Sequence, residues 1–174
     1  ALATAYSGSA RAAGAELREL TLADLAFDPV LRAGYDGEQP LEPDLAAAQQ
    51  AILWADHLAF VYPTWWGGLP ALLKGFVDRV FLPGFAFKYR KDSPWWDRLL
   101  TGRSARLLVT MDTPPWYYRW VYRMPGHNQM RRTILEYCGI RPVRISQFGR
   151  VKGSPATQRA KWLEAARRAG REDA

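Results

Sequence analysis

One cysteine, two histidines and three methionines are all the sulfur and imidazole this chain has. The lone Cys138 cannot close an internal disulfide, which fits a reducing compartment, so a cytoplasmic location is expected. So few histidines and cysteines leave no material for a dedicated His/Cys zinc site, and no metal is expected. No run approaches ~20 apolar residues, so no membrane-spanning helix is expected. The opening A-L-A-T-A-Y-S-G-S-A has neither the basic stretch nor the apolar core of a secretory signal. No Ser/His/Asp set stands out, and no pair of carboxylates is spaced for hydrolysis. The net charge of +7 is scattered, densest at Arg131–Arg132, Arg141–Arg144 and Arg167–Arg171. Without a helix-turn-helix or RNA-binding signature, it reads as a solvated basic surface rather than a nucleic-acid interface.

What the chain does have is length for one domain with a good core, and eight tryptophans. It has neither repeats nor a linker. Residues Ala1–Ala13 favour helix and stop at Gly14. Ala15–Leu20 reads as a strand near a sheet edge, and Leu22–Phe27 as a short helical turn or loop. Asp28–Pro43, rich in proline, glycine and acids, reads as a surface excursion. A helix follows over Leu45–Trp54 with Asp44 as its N-cap. His57–Tyr62, Ala105–Met111 and Val143–Phe148 read as strands. His127–Cys138, ending at Gly139, and Pro155–Ala169 read as helices, with Cys138 on a core face and His57 structural. Phe81–Arg103 and Asp112–Met124 show no period and are taken as aromatic loops, functional or interfacial in kind. Strands alternating with helices predict an α/β, doubly wound parallel sheet in a single domain over residues 1–174.

The chain is organised around residues 62–81, Y-P-T-W-W-G-G-L-P-A-L-L-K-G-F-V-D-R-V-F. Pro70 suits a helix start. Leu69, Leu72, Leu73, Phe76 and Val80 then form an apolar stripe, with Lys74, Asp78 and Arg79 mostly outside it. Between strand and helix, Trp65 and Trp66 stand where a turn normally places small polar residues, and Gly67 and Gly68 allow close approach. Open parallel sheets bind ligands beyond the carboxyl ends of their strands. Two readings are open: a platform for a flat aromatic cofactor, or an aromatic plug between helix and sheet. Six tryptophans occupy three loops: Trp65 and Trp66, Trp95 and Trp96, Trp116 and Trp120. The first and last pairs follow parallel strands, so they must meet. Such convergence suits either a stacked π ligand or a subunit interface.

P-T-W-W-G-G-L-P-A-L-L-K-G-F-V-D-R-V-F, followed by G-F-A-F-K-Y, resembles the DT-diaphorase type of NAD(P)H:quinone oxidoreductase, a flavodoxin-like family. The resemblance runs to the strand Val143–Phe148. It implies a flavin (FMN or FAD), NAD(P)H as hydride donor, a quinone acceptor, ping-pong hydride transfer in which the cofactor carries the chemistry, and a homodimer sharing its sites. An anionic dinucleotide also suits a basic chain. Two other roles are compatible with the same resemblance: a regulatory flavoprotein subunit of a potassium efflux system, and a flavodoxin-type electron carrier. The acidity usual in such carriers is missing here.

By resemblance, Pro63, Thr64, Trp65, Trp66 and Gly67 contact the flavin ring. Asp112, Thr113 and Tyr117 belong to the second flavin turn, where M-D-T-P-P-W-Y-Y puts prolines in place of glycines. Tyr118 and His127 are the candidates for stabilising charge on the reduced ring, with Tyr117 and Tyr118 undecided between them. Phe87, Tyr89 and Trp116 would line the substrate slot, Phe87 and Tyr89 from the neighbouring subunit. A flavodoxin-like sheet begins with a central strand and a phosphate-cradling loop. This sequence starts on the helix after both, so an N-terminal portion is expected outside it.

Overall fold

The computed structural model describes every residue except Asp36 and Glu38. Its centre is a parallel three-stranded sheet in the order β1 (His57–Pro63), β4 (Ser104–Met111), β5 (Val143–Gly149). The β1–β4 register pairs Leu58 with Ala105 and Val61 with Leu108; the β4–β5 register pairs Leu107 with Ile145. β1 and β4 form where the sequence runs apolar without a helical period and β5 where it alternates, and β4 is buried along nearly its whole length.

Period-2 alternation splits β4 between two cores. Ala105, Leu107, Val109 and Met111 join the larger one, with Leu45, Ala48 and Ile52 of α2 (Pro43–Trp54) and Leu73, Phe76, Val77 and Val80 of α3 (Ala71–Val80). Leu108 faces the other way, packing with Phe148 against Tyr6 of α1 (Leu2–Ala12) and Ala166 and Ala169 of α7 (Ala156–Glu172). Helices on both faces of a parallel sheet make the architecture doubly wound. The helices α1 and α7 approach so closely that a Cβ on Gly170 would lie 2.3 Å from the Tyr6 carbonyl oxygen.

Arg106, on the α7 side, anchors that layer. It pairs with Asp173 through Nε and Nη2 and reaches Glu172 at 3.3 Å. Arg144, His57 and the Tyr6 hydroxyl converge on the same carboxylate. Burial opposes ionisation of Asp173, but the close approach of His57 and the hydrogen bonds from Arg106 outweigh it and hold the carboxyl well below its usual range. His57, with Nδ1 2.7 Å from the Ser104 hydroxyl, thus has the structural place expected of it. Cys138 is equally structural: it lies in the larger core, where burial pushes its thiol up to about 12.

Several elements depart from expectation. Ala15–Leu20 has no regular structure and pairs with no strand among the described residues, since a strand needs a neighbour as well as a propensity. Glu42 caps α2 and Pro43 opens it, so Asp44 falls inside the first turn and accepts the Ala26 N–H at 2.7 Å instead. Arg79 is fully buried rather than on the solvent face. Its guanidinium bonds the Glu42 carboxylate at 2.8 Å and the Asp28 and Pro40 carbonyls, tying the excursion onto α3. Phe81–Arg103 contains an antiparallel hairpin, β2 (Phe87–Tyr89) and β3 (Trp96–Arg98). Asp112–Met124 contains α4 (Pro115–Trp120). The helix expected over 127–138 is a rod of three joined pieces, α5 (Pro125–Asn128), a π-helical stretch Gln129–Leu135 and α6 (Glu136–Cys138), which stops at Gly139 with φ 101°.

One edge of the sheet is notable. β1 pairs only with β4, and its other edge is open among the described residues. β5, the opposite edge strand, carries Arg144, Ser146 and Gln147. β1 carries only His57 at its start and is otherwise L-A-F-V-Y-P, with Val61 partly exposed. An uncharged apolar edge is one that proteins normally cover.

Candidate active site

The carboxyl ends of β1 and β4 are locked together by the Thr64 N–H, which donates to the Thr110 carbonyl at 2.7 Å. Beyond that bond the chain reverses in a tight turn. Trp65 and Gly68 exchange backbone hydrogen bonds at 3.2 and 2.8 Å. Between them Trp66 and Gly67 have φ of 49° and 75°. Glycine adopts that geometry freely; tryptophan does so at a cost of roughly 1–2 kcal/mol. The Trp66 side chain gains nothing in return from packing, because it is fully exposed at 105% of its reference area. Strain held at an exposed aromatic points to function rather than stability. Among the described residues, the Trp66 and Gly67 N–H groups meet no acceptor.

The turn is held from behind. The Tyr118 hydroxyl, fully buried, donates to the Gly67 carbonyl at 2.9 Å and accepts the Gly126 N–H at 3.1 Å. That same N–H reaches the Gly67 carbonyl at 2.9 Å. Gly126 must be glycine, since a Cβ there would sit 2.8 Å from the Gly67 oxygen. Burial raises the Tyr118 pKa, so the hydroxyl stays a donor at neutral pH. The aromatic loops after β1 and β4 therefore do meet.

Tyr118 and His127 come together, with ring centroids 4.9 Å apart. Both are buried beneath the turn rather than displayed on it. His127 Nε2 lies 3.2 Å from the Gln147 side-chain oxygen on β5, while Nδ1 is buried without a partner among the described residues. Burial lowers the His127 pKa, against a smaller opposing effect of Gln147, and keeps the ring neutral. In the second turn Asp112 accepts the Lys152 N–H at 2.6 Å. Thr113 and Tyr117 are half-buried, and Trp116 is exposed.

Phe87 and Tyr89 lie elsewhere in the same chain. Phe87 is buried with its edge to Tyr137, at 5.2 Å, and Trp96 stacks on Tyr137 at 4.2 Å. Tyr137 stands near the far end of the rod that begins at Gly126, on the order of 15 Å away. Of the hairpin aromatics, only Tyr89 and Trp95 are largely exposed.

Residues missed from sequence are Pro125, Gly126, Asn128, Gln129, Arg132 and Thr133. With Trp66, Gly67 and Gly68 they line an open cavity of about 660 Å³. The M-P-G-H step, a glycine behind a helix-starting proline, was the available signal for close approach.

The strained turn lies at the carboxyl edge of a doubly wound α/β sheet, where open parallel sheets bind their ligands. Residues 1–172 match the family described as having the flavodoxin-like fold, and the chain belongs to it. It is 41% identical over 80 residues to a ribosyldihydronicotinamide dehydrogenase-like protein, traD, of Penicillium crustosum, covering 42% of this chain and 30% of that one. It is 33% identical over 108 residues to an uncharacterized NAD(P)H oxidoreductase of Haemophilus influenzae, covering 61% of this chain and 52% of that one. The aligned stretches thus span about half or less of these relatives. Among solved structures, Smu.1420 from Streptococcus mutans superposes with a TM-score of 0.77 at 26% identity, over 99% of this chain and 93% of that one.

Proposed function

We propose that this chain is the flavin-binding domain of an NAD(P)H oxidoreductase whose acceptor is a quinone. The observation that carries the proposal is the turn Trp65–Gly68, strained at Trp66, offering two free N–H donors and clamped by Tyr118 and Gly126. These groups fit the ring of FMN or FAD: unpaired amides for its polar edge, and an exposed indole for its face. When bound, the flavin supplies the hydride chemistry, taking two electrons from the nicotinamide and passing them on.

The chain's part is to bind and orient. Pro63 and Thr64 fix the direction of the turn through the bond to Thr110. Trp65, Trp66 and Gly67 present the platform. Asp112, Thr113 and Tyr117 border it from β4, with fewer amide donors than glycines would give. Tyr118 is a positioning residue, its hydroxyl spent on Gly67 and Gly126. His127, neutral and packed against Tyr118, keeps charge out of the space behind the platform. Tyr89 and Trp116 remain the proposed substrate wall, whereas Phe87 is buried in the core and can only back Tyr89. The length of the rod puts the hairpin out of reach of its own turn, so Tyr89 would serve the turn of a second copy in a homodimer. The open edge of β1 supports a further strand docked along it, with the cofactor's phosphate held beyond that strand. The working location proposed is the cytoplasm, on the single buried cysteine.

The test is substitution of Trp66 by glycine, which suits φ 49° better than tryptophan does. Flavin should be lost while the fold is kept. Full flavin retention would refute the placement.

A further inference from the structure

The carboxyl edge of the sheet carries more apolar surface than a cofactor turn needs. On α4 and just after it, Trp116 and Trp120 are 61% and 72% exposed, and Val121 and Tyr122 about half exposed. These four lie outside the Trp65–Gly68 turn but are held against it through Tyr118. Four large apolar side chains left exposed within one seven-residue segment are unusual for a soluble chain unless something covers them.

The charges around that face are nearly all of one sign. Arg119 and Arg123 interleave the aromatics, and Arg119 lies over the Trp120 ring at 5.1 Å. The loop after β5 brings Arg150 and Lys152 to the same edge, joined there by the Val151 N–H to the Met111 carbonyl and the Lys152 N–H to Asp112. Arg119, Arg123, Arg150 and Lys152 are all exposed. The only acid in these loops is Asp112, already occupied by the Lys152 amide.

Tryptophan and tyrosine interleaved with arginine is the composition that settles at a bilayer surface. The rings take the headgroup depth and the cations meet anionic lipid. No helix among the described residues is long and apolar enough to cross a membrane. The contact would therefore be peripheral, like that of an amphipathic surface element. We propose that this face docks the protein on an anionic phospholipid membrane, with Trp116, Trp120, Val121 and Tyr122 at headgroup depth and Arg119, Arg123, Arg150 and Lys152 against the lipid charges. The site mouth would then open toward the membrane, where apolar acceptors dissolve. The docking itself rests on the exposed residues alone and not on the flavin reading.

The test is co-sedimentation of the purified protein with vesicles of phosphatidylcholine alone or with about one third phosphatidylserine. The serine-containing vesicles should carry the protein down at low salt and release it at high salt. Arg119→Gln with Arg123→Gln should lower partitioning about thirtyfold. Trp120→Ser with Val121→Ser should abolish it and remove the blue shift of tryptophan emission seen with vesicles. Both variants should keep the native circular dichroism. Wild-type protein left in the supernatant at low salt would overturn the proposal. So would full binding by the Trp120/Val121 variant, or displacement from vesicles by a single-stranded oligonucleotide. Self-association in sedimentation velocity that disappears with the Trp120/Val121 change would assign the face to a second copy instead.

Discussion

Replacing Tyr118 by phenylalanine separates a clamp from a catalyst. The hydroxyl makes two hydrogen bonds, to the Gly67 carbonyl at 2.9 Å and from the Gly126 N–H at 3.1 Å. Its removal leaves no orphan, because the Gly126 N–H still reaches the Gly67 carbonyl. The ring stays packed, so no cavity forms. The loss is that of one to two neutral hydrogen bonds, about 1–2 kcal/mol. For a domain of this size each kcal/mol moves Tm by roughly 2–4 °C, so a drop of about 2–8 °C is expected in a thermal melt. The turn loosens with it, and flavin affinity should fall about tenfold if ~1.4 kcal/mol of turn ordering is shifted onto binding. Titrating flavin fluorescence on both proteins reads this directly. Unchanged Tm and unchanged affinity would refute the clamp. Unchanged Tm with an altered pH profile of hydride transfer would return Tyr118 to the reacting ring.

Three further outcomes follow from the same geometry. Asp173→Asn leaves Arg106 and its neighbours without their shared carboxylate, and should cost about 3 kcal/mol, read as a fall in denaturation midpoint. Because the Asp173 pKa is lowered on folding, its contribution is full above the usual carboxylate range and is lost as pH falls through its depressed value; the acid limb of the wild-type stability curve should be shallower in Asp173→Asn, with Asp28 and Glu42 supplying part of what remains. His127 also has its pKa lowered on folding, so the unfolded chain binds the proton first and stability should decline as pH drops below about 6.5, with His127→Gln flattening that decline in melts across the range. Gly75→Ala would set a Cβ 2.4 Å from that of Pro29 and should cost about 1–3 kcal/mol by pushing the excursion off α3, measured as a lower midpoint with faster proteolysis of residues 28–43.

The parts of this fold that could be read from sequence were those whose cause is local. β1 and β4 announce themselves as apolar runs bounded by polar or proline residues, β5 as an alternating stretch, and Gly14 and Gly139 end helices because each adopts a positive φ. Ala15–Leu20 could not be read, since its conformation depends on a neighbouring strand. Arg79 could not be read either: Glu42, which justifies burying it, is 37 residues away. The convergence on Asp173 is hidden for the same reason, its partners lying at positions 6, 57, 106 and 144. At the site, the W-W-G-G stretch was legible as a turn beyond the carboxyl end of β1, and the structure has that turn at Trp65–Gly68. What supports it from behind, Gly126 above all, stood 59 residues along the chain and showed only as a glycine beside a proline.

The central claim is that the Trp65–Gly68 turn carries a flavin. The most direct measurement is the visible absorbance of the purified protein, with mass identification of what acid releases, beside the same measurement on Trp66→Gly. The account predicts the two flavin bands, a released FMN or FAD near one per chain, bleaching by NADH or NADPH, and a folded but colourless variant. A wild-type protein that is colourless and takes up neither FMN nor FAD would contradict it.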